Sequence, residues 1–206
     1  MNDTVLYVVR HGKSLGNARR IWQGKCDFPL IDEGRAQARS LGEKLRDIPF
    51  SVCYASPLSR ALETARIILM GRDIPIVTDA RLAEFDAGIW CGNTIDWIAE
   101  NDPENLKCWR ETPELCAFPG GETVAAAYER SNAAMDEYAL RHPGEKVLVA
   151  THAGMLRCMT ARFRYGGIRG MREPFPVPNC SVSVFRRDGE GVWHADEQEE
   201  GRGNRE

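Results

Sequence analysis

The amino-acid sequence predicts an α/β fold of three layers, in which a mostly parallel sheet is flanked by helices and a small irregular cap is inserted. Two observations support this prediction. Short apolar runs rich in β-branched residues alternate with runs whose apolar residues recur at helical spacing. Polar, chemically reactive residues come directly after several of the apolar runs, as expected where the strands of such a sheet end.

The first elements follow one another in the order strand, helix, strand, helix. Residues 5–9 (VLYVV) form a short apolar run typical of a buried parallel strand, and Arg-His-Gly follows it directly. Apolar residues at helical spacing predict a helix over 32–45, with Asp32 as its N-cap. A second strand is predicted over 52–55, and a helix that begins at Pro57 follows it.

A long stretch in the middle of the chain is rich in Trp, Pro and Gly, and we expect it to form the cap, over about residues 85–120. We expect residues 1–195 to form a single domain, and residues 196–206 to be a disordered tail. The other predicted elements are a strand over 76–78, a helix over 123–141, a strand over 146–150, a helix over 155–163, and a final pair of strands over 181–186 and 192–195.

Composition and charge exclude several classes of protein. The 206 residues carry 27 Lys and Arg against 30 Asp and Glu, a formal charge of −3, whereas a nucleic-acid-binding protein usually shows a basic excess. No stretch approaches the roughly 18 apolar residues of a membrane helix, and the first residues do not resemble a secretory signal. We therefore expect a cytoplasmic location. The seven cysteines lack metal-ligand spacing, so we expect reduced thiols and no metal site.

Two histidines, His11 and His152, each follow a predicted strand. Because ligands bind beyond the carboxyl ends of the strands in such sheets, we expect the two side chains to meet there. Arg10 precedes His11, and Arg60 lies on the turn after the second strand. The planar guanidinium suits phosphate oxygens, and nearby cations lower the pKa of an imidazole, which keeps it neutral and nucleophilic near pH 7. The pattern therefore indicates phosphoryl transfer.

A set of motifs resembles the histidine phosphatase superfamily, which includes the phosphoglycerate mutases. The resemblance extends over residues 4–185, and the motifs come in the family's order. They are Leu6-Tyr-Val-Val-Arg-His-Gly12, Asn17, Gln23-Gly24, Pro29-Leu30, Glu33-Gly34, Gln37-Ala38, Ser56-Pro57-Leu58-Ser59-Arg60-Ala61, Thr64-Ala65, Glu84, Gly88, Trp90, Gly120-Gly121-Glu122 and Thr151-His152-Ala153-Gly154.

The resemblance implies a phosphohistidine mechanism. His11 matches the family's nucleophile, and the residues that match its ligands of the transferred phosphoryl group are Arg10, Arg60 and His152. Glu84 matches the carboxylic acid that gives a proton to the leaving oxygen, a role that is worth about 10²–10⁴-fold in rate. The arginines and the imidazolium would neutralise the phosphoryl oxygens, so we expect neither a metal ion nor a cofactor.

The resemblance also implies substrate-binding roles. Asn17 matches a phosphate contact of the family, and Gln23 and Gly24 match a motif that we assign to substrate binding. Lys13 stands where many members have Glu or Gln, so this chain has an additional cation there, which we expect to influence substrate preference. Arg157, one helical turn beyond His152, is interpreted as a surface cation outside the site.

A phosphatase of small phosphomonoesters, similar to the α-ribazole phosphatases, is the function that the resemblance favours. After the last buried strand the chain has His152-Ala153-Gly154, where mutases tend to have His-Gly-Asn, and the cap has one arginine, Arg110, instead of a pair. A cofactor-dependent phosphoglycerate mutase is the alternative enzyme. A catalytically inactive phosphate-binding module is a third possibility, against which the complete set of catalytic residues argues.

The substrate is expected to be a small phosphorylated metabolite. Three tryptophans, Trp90, Trp97 and Trp109, fall in the cap region, where they either pack the cap or present a flat surface to a ring. We therefore expect a ring-bearing phosphomonoester, possible examples being a nucleotide or α-ribazole phosphate, with Lys13 or Arg110 holding further anionic groups. The sequence leaves the physiological substrate and the oligomeric state open.

Overall fold

In the computed structural model, which describes residues 3–195, six strands form one mixed sheet in the order β3-β2-β4-β1-β5-β6. The first four strands run parallel, β5 pairs antiparallel with β1, and β6 pairs antiparallel with β5. The predicted mostly parallel sheet is confirmed. The strands are β1 Thr4–Arg10, β2 Phe50–Ala55, β3 Ile76–Thr78, β4 Lys146–Thr151, β5 Val182–Arg187 and β6 Trp193–Ala195.

Seven α-helices accompany the sheet among the described residues. None of them combines the length and the apolar character that are needed to cross a membrane. The predicted tail, 196–206, lies outside the described residues, and a single domain over 1–195 stays a prediction. The helices are α1 Leu15–Ala18, α2 Asp32–Lys44, α3 Ser59–Ile68, α4 Ile95–Asn101, α5 Pro103–Glu111, α6 Val124–Arg141 and α7 Ala153–Phe163.

The core lies on both faces of the sheet, because successive side chains of a strand point to opposite sides. In β4, Val147 and Val149 belong to one buried apolar cluster, whereas Leu148 and Ala150 belong to the other. The first cluster packs against α6, α7 and the cap, and the second packs against α2 and α3. The three predicted layers are therefore present.

Four predicted helix starts are wrong by one or two residues: those of α2 and α3, described next, and those of α6 and α7, which begin at Val124 and Ala153 instead of 123 and 155. Asp32 is the first helical residue of α2 rather than its N-cap, since Ile31 has the extended backbone of a cap. Its carboxylate still lies in the first turn, where the helix dipole favours a negative charge. Helix α3 begins at Ser59 and not at Pro57, because Leu58 keeps an extended backbone at φ −66° and ψ 134°.

The cap is less irregular than predicted, because residues 85–120 contain α4 and α5. Thr94 caps α4 by accepting a hydrogen bond from the Trp97 amide at 3.1 Å, and Pro103 occupies the first turn of α5, where a missing N–H costs nothing. Both helices are short and carry few apolar residues, so their periodicity is weak in the sequence. Trp90 is fully buried in the same apolar cluster as α6 and α7.

Candidate active site

The candidate site lies at the carboxyl ends of three neighbouring parallel strands. Strand β4 lies between β1 and β2, so the residues that follow these strands meet at one edge of the sheet. These residues are His11 after β1, Ser56 after β2 and His152 after β4. The imidazole rings of His11 and His152 have their centroids 5.2 Å apart, so the structure brings the two predicted histidines together.

The loop that carries His11 is pressed against α2 and α3. A Cβ atom at Gly12 would overlap the backbone carbonyl of Gly34, so only glycine fits at this crossing. The Gly12 amide donates to Thr64 Oγ1 at 3.0 Å, and the Thr64 hydroxyl donates to the Arg60 carbonyl at 2.6 Å. These contacts tie the loop after β1 to the helix that carries Arg60.

His11 is neutral and presents one unprotonated nitrogen. Its Nδ1 lies 2.7 Å from the Gly12 carbonyl oxygen, which can only accept, so Nδ1 carries the proton and Nε2 does not. Burial lowers the pKa of His11 well below its usual value, and the charges of Arg60 and Arg10 lower it further. A neutral imidazole with a free Nε2 is the form that can act as a nucleophile.

His152 is buried more completely, and its two ring nitrogens have different surroundings. Its Nε2 lies 2.7 Å from Ser56 Oγ, which accepts from the Leu58 amide at 3.3 Å and is therefore able to donate its own proton to Nε2. That arrangement favours a proton on Nδ1, which is buried and has no hydrogen-bond partner in residues 3–195. Burial, followed by the charges of Arg60 and His11, lowers the pKa of His152 well below its usual value.

The two predicted arginines are held by backbone carbonyls. Arg60 is fully buried and donates to the Cys26 carbonyl at 2.9 Å and to the Gly24 carbonyl at 2.7 Å. Arg10 donates to the Val177 carbonyl. The Nε atom of each is buried without a partner in the described part of the chain, and a buried donor of this kind is costly unless a ligand satisfies it. Burial lowers the pKa of both arginines, which the charge of Glu84 opposes.

The carboxylate of Glu84 lies at the start of α7, next to the residues that follow β4. One carboxylate oxygen accepts from the Gly154 amide at 3.2 Å, and the other accepts from the Phe85 amide at 3.1 Å. A Cβ atom at Gly154 would overlap both the Glu84 carboxylate and the Phe85 ring. Glycine at position 154 is therefore what lets the carboxylate approach this helix.

Arg130 of α6 fixes the chain around Glu84. Its guanidinium donates to the carbonyls of Arg81 and Ala83, both at 2.7 Å, and lies 3.3 Å from the Glu84 carbonyl. Two further bonds, at 2.7 and 3.0 Å, join it to the Glu122 carboxylate in a bidentate pair. The backbone of Glu84 is thus held in place by a residue that lies outside the cavity.

A cavity of about 250 Å³ opens between these groups. Six of the nine predicted site residues line it, and three do not. Its apolar walls come from both the main body and the cap, and Arg157 adds a third cation. The predicted residues on its surface are Arg10, His11, Gln23, Gly24, Arg60 and Glu84, and the apolar ones are Ile21, Trp22, Phe85, Ile95, Trp109 and Ala153.

The three other predicted residues lie behind the cavity or beside it. His152 lies beside His11, as described above, and is not part of the cavity lining. Asn17 Oδ1 accepts from the backbone and side chain of Ser14 in a capping box, at 3.1 and 2.9 Å. Lys13 forms an ion pair with Glu33 at 2.7 Å, outside the cavity lining, so it is not the additional cation of this cavity. The catalytic and binding roles of these residues stay predictions.

Sequence reasoning missed three residues of the site. Arg157, interpreted as a surface cation, lines the cavity, as does Trp22. Asn179 donates to the His11 carbonyl at 2.9 Å, from the loop before β5. Arg157 lies five residues after His152 on helix α7, and that spacing could have placed it near the site. Asn179 had no such signal, because only the antiparallel pairing of β5 with β1 brings it there.

Comparison with known proteins shows relatives of two kinds. A model of the histidine phosphatase superfamily, branch 1, matches residues 6–199. Phosphoserine phosphatase 1 of Hydrogenobacter thermophilus is 33% identical over 154 residues, which are 75% of this chain and 73% of that protein. Phosphoglycerate mutase-like protein 4 of Arabidopsis thaliana is 35% identical over 185 residues, which are 88% of this chain and 78% of that protein.

Solved structures share the fold over nearly the whole chain. YhfR of Bacillus stearothermophilus has a TM-score of 0.89 at 36% identity, covering 93% of this chain and 95% of that one. The α-ribazole phosphatase of Shigella flexneri has a TM-score of 0.83 at 25% identity, covering 94% of this chain and 95% of that one. The α/β fold class expected from the sequence is therefore confirmed.

Proposed function

Because the chain belongs to branch 1 of the histidine phosphatase superfamily, we propose that it is a metal-independent phosphatase of small phosphomonoesters that works through a phosphohistidine at His11. The observation that carries the proposal is the chemical state of His11. The contact of Nδ1 with the Gly12 carbonyl leaves Nε2 as the nitrogen without a proton, and Arg10 and Arg60, each with a buried and unsatisfied Nε donor, lie close enough to lower the pKa of the ring. A nucleophile beside cationic donors suits attack on a dianionic phosphoryl group.

The reaction divides into two steps. In the first, Nε2 of His11 forms a bond to phosphorus, the ester P–O bond breaks, and Glu84 gives its proton to the leaving oxygen. In the second, the Glu84 carboxylate takes a proton from a water molecule, the oxygen of that water bonds to phosphorus, and the P–N bond to His11 breaks. Free phosphate leaves. The unsatisfied donors on Arg10, Arg60 and His152 would bind the phosphoryl oxygens in both steps.

The phosphohistidine is tested by rapid acid quenching with a labelled ester. We expect acid-labile, base-stable label on the protein, and turnover that persists in EDTA. His11→Ala should lose the label and lower kcat by roughly 10³-fold or more. His194→Ala, which removes an imidazole on β6, should retain both label and turnover. Near-normal turnover of His11→Ala would disprove the mechanism.

The apolar walls of the cavity favour an ester with a ring. Trp22 and Trp109 meet edge to face at 5.3 Å, and both line the cavity, whereas Trp90 packs in the core. We expect ring-bearing phosphomonoesters, such as a nucleotide or α-ribazole phosphate, to exceed 3-phosphoglycerate in kcat/KM. A panel of esters assayed for released phosphate measures the order. A clear preference for phosphoglycerate would contradict it.

A phosphoglycerate mutase is the second candidate, because the Arabidopsis relative is named mutase-like and is as similar as the phosphatase. A mutase would move the phosphoryl group between the hydroxyls of phosphoglycerate when a bisphosphate primer is present. A phosphatase would release free phosphate with or without that primer. Measuring both products with and without primer separates the two activities.

A further inference from the structure

Arg157 is a third guanidinium in the cavity, and the mechanism above does not use it. It lies on α7, and its guanidinium carbon is 5.2 Å from the centre of the Trp109 ring. One terminal nitrogen donates to the Met171 carbonyl at 2.7 Å. The side chain is therefore held on the aromatic wall of the cavity, with its position set by a ring and a carbonyl.

No carboxylate of residues 3–195 forms an ion pair with Arg157. On the same side of the sheet, Arg162 pairs with Asp136 at 2.8 Å, and Arg172 pairs with Glu114. The Nε and the second terminal nitrogen of Arg157 have no hydrogen-bond partner within the described residues. Burial also lowers the pKa of this arginine, because the protein around it solvates the charge less well than water does.

The nearby carboxylate of Glu84 forms no hydrogen bond with the Arg157 guanidinium. Its two oxygens accept from the amides of Phe85 and Gly154. During the proposed reaction Glu84 carries a proton, so it is neutral when the ester binds productively. A phosphoryl dianion is then bound by Arg10 and by Arg60, which also lies 3.8 Å from Asp27, and the positive charge of Arg157 is left without an ion-pair partner among residues 3–195. A single negative charge on the substrate would neutralise it.

We propose that Arg157 binds a carboxylate on the organic part of the substrate, so that the enzyme prefers phosphomonoesters that carry both an apolar or ring-bearing portion and one carboxylate. This inference rests on the proposed phosphatase function. The planar fork of arginine suits a carboxylate in two-point contact, and the free nitrogens of Arg157 are the donors for it. The ring of the substrate would lie along Trp22 and Trp109.

The test compares esters that differ only in this charge. The wild-type protein is assayed with 3- and 4-carboxyphenyl phosphate and with the corresponding carbamoylphenyl phosphates, which have the same shape and no charge. We expect kcat/KM for the better carboxylate isomer to exceed that of its carbamoyl partner by about 10- to 100-fold, the range for hydrogen bonds to charged groups. The carbamoyl group makes the better leaving group, so leaving-group chemistry alone would produce the opposite order.

Variants assign this preference to Arg157. In Arg157→Gln the ratio of the two kcat/KM values should fall close to one, mainly through a higher KM for the carboxylate ester. Arg157→Lys should restore part of the ratio, because it restores the charge without the fork. Arg164→Gln removes a positive charge from the exposed end of the same helix and should keep the wild-type ratio and turnover.

The outcomes separate this inference from the function on which it rests. If the wild-type protein hydrolyses both esters with equal kcat/KM for each isomer, the carboxylate site is disproved and the phosphatase stands. A purely structural role for Arg157 would lower activity on both esters equally and leave the ratio at its wild-type value, which would also disprove it. No turnover of any ester, with no label on His11, would overturn both proposals.

Discussion

Burial beside cations sets the chemical state of the site histidines. His11 and His152 lie side by side near Arg60 and Arg10, and burial, followed by the charges of these arginines, makes a second proton on either ring more costly. A backbone carbonyl then selects which nitrogen of His11 keeps its proton. In the proposed mechanism, these surroundings keep His11 neutral without a base beside it.

At the same scale, Glu84 gives a prediction about leaving groups. Glu84→Gln keeps the shape but removes the proton that the leaving oxygen needs. We expect alkyl esters to slow by about 10²–10⁴-fold, and p-nitrophenyl phosphate to slow far less, because its leaving oxygen is stable as an anion. The two kcat values are measured for the variant and the wild type.

Asp86→Asn is the control for this prediction. It removes a carboxylate two residues along the chain, which pairs with Lys25 at 3.2 Å outside the cavity lining. Asp86→Asn should change kcat by the same factor for the alkyl esters and for p-nitrophenyl phosphate. If Glu84→Gln also slows both esters equally, Glu84 is not the acid.

Among the elements, helix α6 positions the segment that carries Glu84 without entering the cavity. Arg130 holds the carbonyls of the segment before Glu84, and Glu122 both pairs with Arg130 and accepts from the Asp86 amide at 2.8 Å. The carboxylate and the guanidinium are each largely buried, with side-chain exposures of 17% and 20%. Removing one partner of such a pair strongly destabilises the folded protein, because the other partner is left with an uncompensated charge.

Arg130→Met should therefore lower the free energy of unfolding by roughly 2–4 kcal/mol. The loss comes from the unpaired Glu122 carboxylate and from carbonyls that lose their donor. Urea unfolding of the variant and the wild type measures it. Arg141→Met, on the same helix and 63% exposed beside Glu137, should cost less than about 1 kcal/mol. Equal losses in the two variants would contradict this account of the network.

For the whole molecule, the two buried histidines link folding to pH. Their pKa values are lowered in the folded protein, so between the folded value and the ordinary value of about 6.5 the unfolded chain binds protons that the folded chain does not. The free energy of unfolding therefore falls as the pH drops below about 6.5, and it rises as the pH increases toward that value.

His11→Asn should flatten this dependence. The unfolded variant binds up to one proton fewer, relative to the folded variant, than the wild type does. The slope of the free energy of unfolding against pH, below about pH 6.5, should therefore decrease by as much as about 1.4 kcal/mol per pH unit. Urea unfolding at several pH values between 5 and 7 gives the slopes. His194→Asn, which removes the partner of Asp188 at the edge of the sheet, should leave the contribution of His11 in place. Identical slopes for wild type and His11→Asn would show that His11 is not held neutral by the fold.

The amino-acid sequence by itself determined the layers, the parallel core and most of the polar residues that line the candidate site. Periodicity is a local property, so alternating apolar runs placed β1 and β4, and polar residues at their ends marked His11 and His152. Short motifs with defined spacing added Arg10, Arg60 and Glu84. The helices of the cap were missed, because α4 and α5 are short and owe their ends to capping contacts instead of a long apolar pattern.

Only the tertiary structure decided how the cavity is lined and which cations face it. Lys13, next to the strand-end motif in sequence, turns to Glu33, whereas Arg157 lies on the aromatic wall. Asn179 reaches His11 through the pairing of two strands that are far apart in the chain. The reason is physical: the direction of a side chain depends on partners from other elements, and the sequence brings those partners together only when the chain folds.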